Sequence, residues 1–567
     1  MPPYKAPRGA RQRRNSHGVK NAPVMKRPAQ PKAESPQVVQ PLISDDISPE
    51  AMRFADLAND KLLEPIIIDT ITQDLGFTHM TPIQEATVHD LLTNRVDCLA
   101  QARTGTGKTL AFLLPAIQTL LKKPRRHGKI STLIISPTRE LAMQIAKEAC
   151  GLLGRLPMYK VSCAIGGTNK DREERDILSG CDILVATPGR LYDHLSDSRI
   201  LASFSELDTL VLDEADRLLD MGFMKDLKDI IACLPDRQQK PRHGMLFSAT
   251  IADHVEKFAH LVLSPGYKFI STIPAGQRNT HERVIQQLIT VPTFSDVLPA
   301  LISAIKSEMA LDKDFKAIVF APTAALADWY SMTLAEVRGL PPVSTLHARI
   351  SQSKRTSVTD AFRKSSSVIL VATDVVARGM DFPEVSAVFQ VGLPADRESY
   401  IHRLGRTARA GREGRGIFII AEAEAFFPKY KLKDIEFLSA GTTIAAEDAE
   451  LVQKAAAKAN IQGKVYQSWL GYYKAHLKAL NWTPEKLVAE ANRYAIDALC
   501  AGGVPEIQKS TVGKMGLKGV KNLNIVANIP SAGRGGGGGG GGGEGRRGGG
   551  EGRRGGNRGR GRGRGSG

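Results

Sequence analysis

Nowhere in its 567 residues does the chain carry an apolar run near the ~20 residues that span a bilayer, so a soluble protein with no membrane partner is expected. Cysteine is scarce: six residues, at positions 98, 150, 163, 181, 233 and 500, with no Cys-x-x-Cys pair. That excludes a disulfide scaffold and a thiolate zinc site, and it fits reduced core thiols in a reducing compartment. Acid is missing from residues 1–33, which hold nine Lys or Arg, and is sparse over 531–567, where nine Arg face two Glu. These two ends carry 16 of the net +18 charges. The body between them is nearly balanced, so attraction to a polyanion is expected mainly from two arms.

Residues 1–50 are basic, poor in large apolar groups and interrupted by Pro2, Pro3, Pro7, Pro23, Pro28 and Pro31. Such a segment cannot bury a core and is expected to be disordered. Its lack of acid suits an organellar transit peptide, yet the prolines oppose an amphipathic helix, and a basic RNA-binding arm suits it equally. Residues 530–567 are Gly/Arg repeats, again unable to form a core, whose arginines pair with phosphate and stack without reading sequence.

The body is organised around residues 97–109. Cys98 to Ala100 reads as a buried strand and Leu110–Leu121 as a helix. Between them, Ala102, Arg103, Thr104, Gly105, Thr106, Gly107, Lys108 and Thr109 read as a phosphate-binding loop. Gly105 and Gly107 let backbone approach a polyphosphate, and the helix start turns free N–H groups and its positive dipole end toward it. Lys108 suits the β/γ phosphates, and Thr109 offers a hydroxyl to Mg²⁺. Upstream, Thr81-Pro82-Ile83-Gln84 allows two readings that are compatible. Gln84 can donate to and accept from an adenine edge, or Thr81 can cap a helix with Pro82 in its first turn.

Apolar strands expected at 131–136, 181–186, 209–212 and 245–247 each run into a polar cluster. That is the edge where open parallel α/β sheets gather their sites. Asp213 and Glu214 follow the third of these strands. An acid at a buried edge needs a cation, so Asp213 is expected to hold the metal through water, and Glu214 to orient and deprotonate the attacking water.

Ala-Arg-Thr-Gly-Thr-Gly-Lys-Thr (102–109), Pro-Thr-Arg-Glu-Leu-Ala (137–142), Thr-Pro-Gly-Arg (187–190), Asp-Glu-Ala-Asp (213–216) and Ser-Ala-Thr (248–250) stand in the order found in DEAD-box RNA helicases. Gln-Ser-Lys-Arg (352–355), Ala-Thr-Asp-Val-Val-Ala-Arg-Gly-Met-Asp (372–381) and His-Arg-Leu-Gly-Arg-Thr-Ala-Arg (402–409) complete the set. Residues 54–430 therefore resemble that family. Met80, Ala348 and Phe389-Gln390-Val391-Gly392-Leu393-Pro394 depart from its commoner pattern. The last of these, with the region after 435, resembles the fungal mitochondrial intron-splicing subfamily.

The resemblance implies an α/β fold with two RecA-like parallel-sheet domains in tandem, followed by a helical C-terminal extension and an Arg/Gly tail. A polar, Gly/Pro-containing stretch over 264–282 reads as the join. The expected divisions are a basic arm at 1–50, an ATP-binding domain at 51–270, a linker at 271–282, a second domain at 283–435, the extension at 436–529 and the tail at 530–567. The second half carries no phosphate loop of its own, so Arg406 and Arg409 are expected to reach across the cleft to the γ-phosphate. By the same resemblance Gln84 reads adenine, Phe54 stacks on it and Asp381 holds the ribose. Asp216, Ser248, Thr250 and His402 link hydrolysis to strand separation. Arg139, Gly167, Thr187, Arg190, Arg355 and Thr373 meet the RNA backbone, with little sequence preference.

In the extension, Tyr466, Trp469, Leu470, Tyr473, Leu477 and Leu480 fall on one helix face. An aromatic stripe of this kind reads as core rather than a base-stacking platform, with Lys464, Lys474 and Lys478 as weaker RNA candidates. Together these readings imply an ATP- and Mg²⁺-dependent RNA helicase, monomeric, acting as an RNA chaperone in the mitochondrial matrix, with nucleus or nucleolus as the alternative address. An ATP-gated RNA clamp that nucleates an assembly is the rival built on the same motifs.

Overall fold

The computed structural model describes residues 50–103, 105–273, 284–312, 314–374, 382–407, 414–439 and 444–528. Thr104, Asp381, Arg409 and both basic arms lie outside the described residues. Leu-Val-Leu at 210–212 and Ala-Ile-Val-Phe at 317–320 are apolar at every position, which suits strands covered on both faces. Both are completely buried.

The first sheet contains β1 (Cys98–Gln101), β2 (Thr132–Ile135), β3 (Val161–Ala164), β4 (Ile183–Ala186), β5 (Thr209–Leu212), β6 (His243–Ser248) and β7 (Lys268–Ser271). Its spatial order is β3-β4-β2-β5-β6-β1-β7, every pairing parallel. The second contains β8 (Val284–Val291), β9 (Lys316–Phe320), β10 (Val343–Leu346), β11 (Val368–Ala372), β12 (Ala387–Val391), β13 (Gly414–Ala421) and β14 (Leu438–Ser439). Its order, β10-β11-β9-β12-β13-β8-β14, repeats the first strand for strand. The chain thus builds one architecture twice, and both sheets turn their carboxyl edges to polar loops.

Those loops cap the helices that follow. Thr138 accepts the Leu141 N–H (3.3 Å) at the start of helix Arg139–Leu152, and Thr323 accepts the Leu326 N–H (3.3 Å) at the start of helix Ala324–Ala335. Each side chain satisfies a donor that the first helical turn leaves open.

Two boundaries differ from expectation. The stretch read as a join from 264 onward contributes β7, an edge strand hydrogen-bonded beside β1. Its side chains are mostly exposed, so its sequence has no apolar run to announce it. Likewise Leu438 and Ser439 add β14 to the free edge of β8, inside the segment expected to be purely helical, and the extension also forms a small parallel pair, β15 (Glu506–Gln508) with β16 (Asn524–Val526).

The remaining extension is helical: Ala446–Lys458, Gln462–Lys474, Leu477–Leu480, Pro484–Asp497 and Lys509–Lys514. Its aromatic stripe is core. Tyr466, Trp469, Leu470 and Tyr473 are buried in the same apolar cluster as the second domain. Phe294, just after β8, packs edge-on against Trp469 (5.1 Å) and Tyr473 (5.0 Å), and Trp469 stacks on Tyr494 (5.5 Å). Polar ties reinforce the seam. The Tyr472 hydroxyl donates to Leu393 O (2.6 Å), the Ser468 hydroxyl to Thr323 Oγ1 (2.8 Å) and the Tyr473 hydroxyl to Glu424 Oε1 (2.7 Å).

Glu424 is fully buried at this seam and also accepts the N–H groups of Leu393 (3.3 Å) and Ala421 (3.0 Å). Burial outweighs those hydrogen bonds and pushes its carboxyl up to about 7. Below the ordinary carboxylate range, folded and unfolded chains both hold the proton and the full contribution is present. As pH rises through about 7, only the folded state pays for ionising it, so stability falls by roughly 3 kcal/mol. Glu424→Gln is expected to flatten that decline between about pH 5 and pH 8, measured by denaturant unfolding of the second domain and extension.

Candidate functional site: a nucleotide loop facing a cleft between two domains

The loop after β1 is held in shape by its own backbone. Gly105 (φ +81°) and Gly107 (φ +85°) lie in the left-handed region, which glycine enters without strain. A Cβ on Gly107 would stand 2.4 Å from Gln84 Nε2, so the position also demands the missing side chain. The Ala102 N–H donates to Ser248 O (3.1 Å), tying the loop to β6. The Thr106 hydroxyl donates to Arg103 O (2.8 Å), and Lys108 Nζ to Ala102 O (2.8 Å). Lys108 and Thr109 open helix Lys108–Leu121.

Gln84 completes the helix cap and keeps hydrogen-bonding capacity to spare. Its carbonyl oxygen accepts the Thr81 N–H (2.9 Å) in a capping box, while its amide donates to Gly107 O (3.0 Å). An amide keeps a second N–H and a second lone pair, and these are what an adenine edge requires. Phe54 corrects the expectation of stacking. At 1% exposure it belongs to the first-domain core, because Met80 N–H donates to Met52 O (2.8 Å) and its own N–H to Thr78 O (3.1 Å), folding its segment inward. As placed, the ring has no open face.

Asp213 and Glu214 leave β5 together, both buried. Glu214 has φ +50°, a strained conformation for a residue with a side chain, and its N–H donates to Asp213 Oδ1 (3.0 Å). Burial, then the neighbouring Glu214, pushes the Asp213 carboxyl up to about 7, with Lys108 opposing. Paired buried acids beside a lysine and a glycine-lined loop fit a divalent cation on a triphosphate. Asp213, and Thr109 at the start of helix Lys108–Leu121, would hold such an ion, and Glu214 adjoins Asp213.

Asp216 joins the two domains. Thr250 donates to its Oδ2 through the backbone N–H (3.2 Å) and the hydroxyl (2.9 Å). Ser248 Oγ accepts the Asp216 N–H (3.3 Å) and donates to Thr250 O (2.7 Å). From the second domain, His402 Nε2 comes within 3.8 Å of the same Oδ2. His402 sits on helix Arg397–Leu404 and its carbonyl accepts Arg406 Nε (3.3 Å).

The residues expected on RNA divide into two groups. Arg139, Gly167, Thr187 and Arg190 come together on the first domain. The guanidinium of Arg139 lies against Gly166 and Gly167, where added Cβ atoms would meet it at 2.9 and 2.5 Å. Thr373 follows β11, its N–H donating to Leu346 O (3.3 Å). Arg355 is the correction: only 4% exposed, it donates to Glu140 Oε2 across the cleft (2.6 Å) rather than facing outward. Gln352, on the same helix, donates to Glu140 Oε1 (3.3 Å) and accepts from Arg139 (3.4 Å).

Three contributors were not legible as site residues: Glu140 and Gln352 in this bridge, and Arg403, which is buried against Asp374 (2.7 and 3.0 Å) with its guanidinium over Phe320. Each sits in a motif already rich in polar and charged residues, and its partner lies in a different segment.

The fold and site define a two-domain ATPase whose phosphate loop belongs to one sheet and whose cleft is closed by the other. Comparison with known proteins narrows this. Residues 81–258 match the DEAD/DEAH box helicase family and residues 298–411 the helicase conserved C-terminal domain. A Phaeosphaeria nodorum protein named ATP-dependent RNA helicase MSS116, mitochondrial, is 43% identical over 514 residues, spanning 88% of this chain and 91% of that one. DEAD-box ATP-dependent RNA helicase 26 of Oryza sativa subsp. japonica is 42% identical, over 82% of this chain and 85% of its own. Among solved structures, Mss116p bound to ssRNA and AMP-PNP superposes with a TM-score of 0.75 at 31% identity, covering 85% of this chain and 98% of that one.

The chain belongs to the DEAD-box family of ATP-dependent RNA helicases. It binds ATP and RNA as an enzyme of that family.

Because Glu140 and Arg355 are both buried, losing either leaves the other an unpaired charge. Glu140→Arg and Arg355→Glu are each expected to lower RNA-stimulated ATP hydrolysis by about tenfold or more. The double charge swap should recover part of that loss, read by steady-state ATPase assays at saturating RNA.

Proposed function

We propose that this helicase acts as a general RNA chaperone, separating short RNA duplexes locally and remodelling structured RNA in organellar intron splicing. The observation that carries the reading is the meeting of His402 with the Asp216–Ser248–Thr250 network, one residue pair beyond Asp213 and Glu214. Any movement of the second domain is felt at the acids that handle the nucleotide, and the reverse holds as well.

In this reading the loop amides of residues 102–109 and Lys108 hold the phosphates, and Gln84 holds adenine. Thr109 and Asp213 hold Mg²⁺, which neutralises charge on the β and γ phosphates when bound. Asp381 holds the ribose. Glu214 orients the attacking water and accepts its proton. Arg406 and Arg409 approach the γ-phosphate only when the cleft is shut, so hydrolysis waits for closure.

RNA lies across Arg139, Gly167, Thr187, Arg190 and Thr373, held through phosphate and sugar, and the closed path displaces a paired strand. Arg355 serves this state as a brace between domains. The enzyme works as a monomer, since one chain supplies both halves of the cleft. The two arginine- and lysine-rich ends keep it near large RNAs. The mitochondrial names of its relatives and the acid-free start of the chain favour a matrix address over a nuclear one.

Release of one strand from a short RNA duplex tests the mechanism. With ATP the intact protein is expected to act at least tenfold faster than Lys108→Ala or Glu214→Gln. Equal rates, or RNA held through many turnovers by the intact protein, point instead to an ATP-gated clamp. For the address, a tagged full-length chain is expected in mitochondria and one lacking residues 1–50 outside them; identical distributions remove the matrix assignment.

A further inference from the structure

On the first domain one carboxylate touches two of the segments assigned above to RNA. Glu173 lies on helix Lys170–Leu178, 7% exposed. Its Oε1 accepts the Thr168 hydroxyl and the Ile165 N–H (3.3 Å), the two ends of the turn that carries Gly166 and Gly167. Its Oε2 accepts Arg190 Nη1 (2.8 Å) and His194 Nε2 (2.8 Å), both on helix Pro188–His194. Arg190 Nη2 then donates to Thr168 O (3.3 Å) and closes the ring between turn and helix.

The local chain cannot supply this order itself. Helix Pro188–His194 has seven residues, too few to fix its own orientation. The Gly166-Gly167 turn must stay free of side chains to receive Arg139. Although burial raises its carboxyl, the hydrogen bonds from His194 and Thr168, the Arg190 charge and the Ile165 N–H bring it below the ordinary glutamate range, so Glu173 is an anion at neutral pH. A charged acceptor largely removed from water holds a guanidinium more tightly than an exposed one. Arginine has five N–H donors, and two are spent here. The others stay available to a phosphate, from a guanidinium whose position is already set.

We infer that Glu173 is a positioning residue for RNA: it locks Arg190 and the Gly166-Gly167 turn into one preorganised phosphate-binding surface. It acts through Arg190, so it governs how much RNA is needed rather than how fast the saturated enzyme turns over. This rests on the reading that Arg190 meets the RNA backbone.

The test measures ATP hydrolysis by the full chain against increasing concentrations of an unstructured single-stranded oligoribonucleotide. Glu173→Ala is expected to raise the half-saturating RNA concentration roughly tenfold, while the rate at saturation moves less than twofold. Arg190→Ala should also raise the half-saturating RNA concentration, and the double variant should fall well short of the product of the two effects, because the part of the Glu173 role that runs through Arg190 is already lost. Glu173→Gln keeps an acceptor for Ile165 and Thr168 without the charge for Arg190, so it should fall between. It also serves if Glu173→Ala unfolds.

Effects of Glu173 and Arg190 that multiply, or a loss confined to the saturated rate, overturn the inference while leaving Arg190 on RNA. An Arg190→Ala variant with unchanged RNA dependence overturns the RNA reading of that residue itself.

Discussion

Asp213 and Glu214 are held out of water, side by side, at the carboxyl end of β5. Two adjacent carboxylates in that setting repel one another and lose hydration, which is why the Asp213 carboxyl stands near 7 rather than near 4. The arrangement is unfavourable until positive charge arrives. Lys108 supplies part of it, and a nucleotide with its cation suits the remainder. The strained backbone of Glu214 belongs to the same constraint, since a left-handed residue there carries the chain directly from β5 into helix Ala215–Asp220. Strain and repulsion are tolerated because fully buried strands on either side fix the position.

From that point the geometry spreads outward by short polar links. Ala102 joins the phosphate loop to β6 through Ser248, Ser248 joins β6 to Asp216, and Asp216 meets His402 of the second domain. The first two links join the carboxyl ends of neighbouring strands, so the sheet itself acts as the rigid frame, and the third crosses to the second domain. The second domain repeats the same strand order but has no phosphate loop of its own. One sheet topology used twice therefore gives two unequal halves that meet through polar contacts. The extension adds rigidity to the second domain, since its aromatic residues share that domain's core.

Much of this was legible in the residues. Strands with continuous apolar runs, such as 210–212 and 368–372, announced themselves, because a parallel sheet buries both faces. The phosphate loop was legible because its glycines have no other economical use. Edge strands were not: β7 has exposed side chains, and β14 is two residues long, so neither carries a period. The family resemblance places Arg355 on the RNA backbone, and nothing in its own segment points to a partner in the first domain. Its burial depends on Glu140, far upstream in the other domain, and no local pattern encodes that pairing. Glu173 is hidden for the same reason, since its four partners come from two other segments, the turn at 165–168 and helix Pro188–His194.

The cross-domain contacts described here are polar: Glu140 with Arg355, Gln352 between them and Arg139, His402 near Asp216. A buried ion pair gains Coulomb energy but loses hydration on both sides, so its net contribution to closure is small. Its geometric demand, however, is strict, because a misplaced partner leaves a buried charge uncompensated. An apolar seam of the kind that joins the extension to the second domain would hold the cleft shut regardless of ligand. A polar seam leaves open and closed states near balance, and ligands that bind the closed state better then decide which is populated. That division of labour, an apolar junction where permanence is needed and a polar one where reversal is needed, is what a cycling ATPase requires of a single chain.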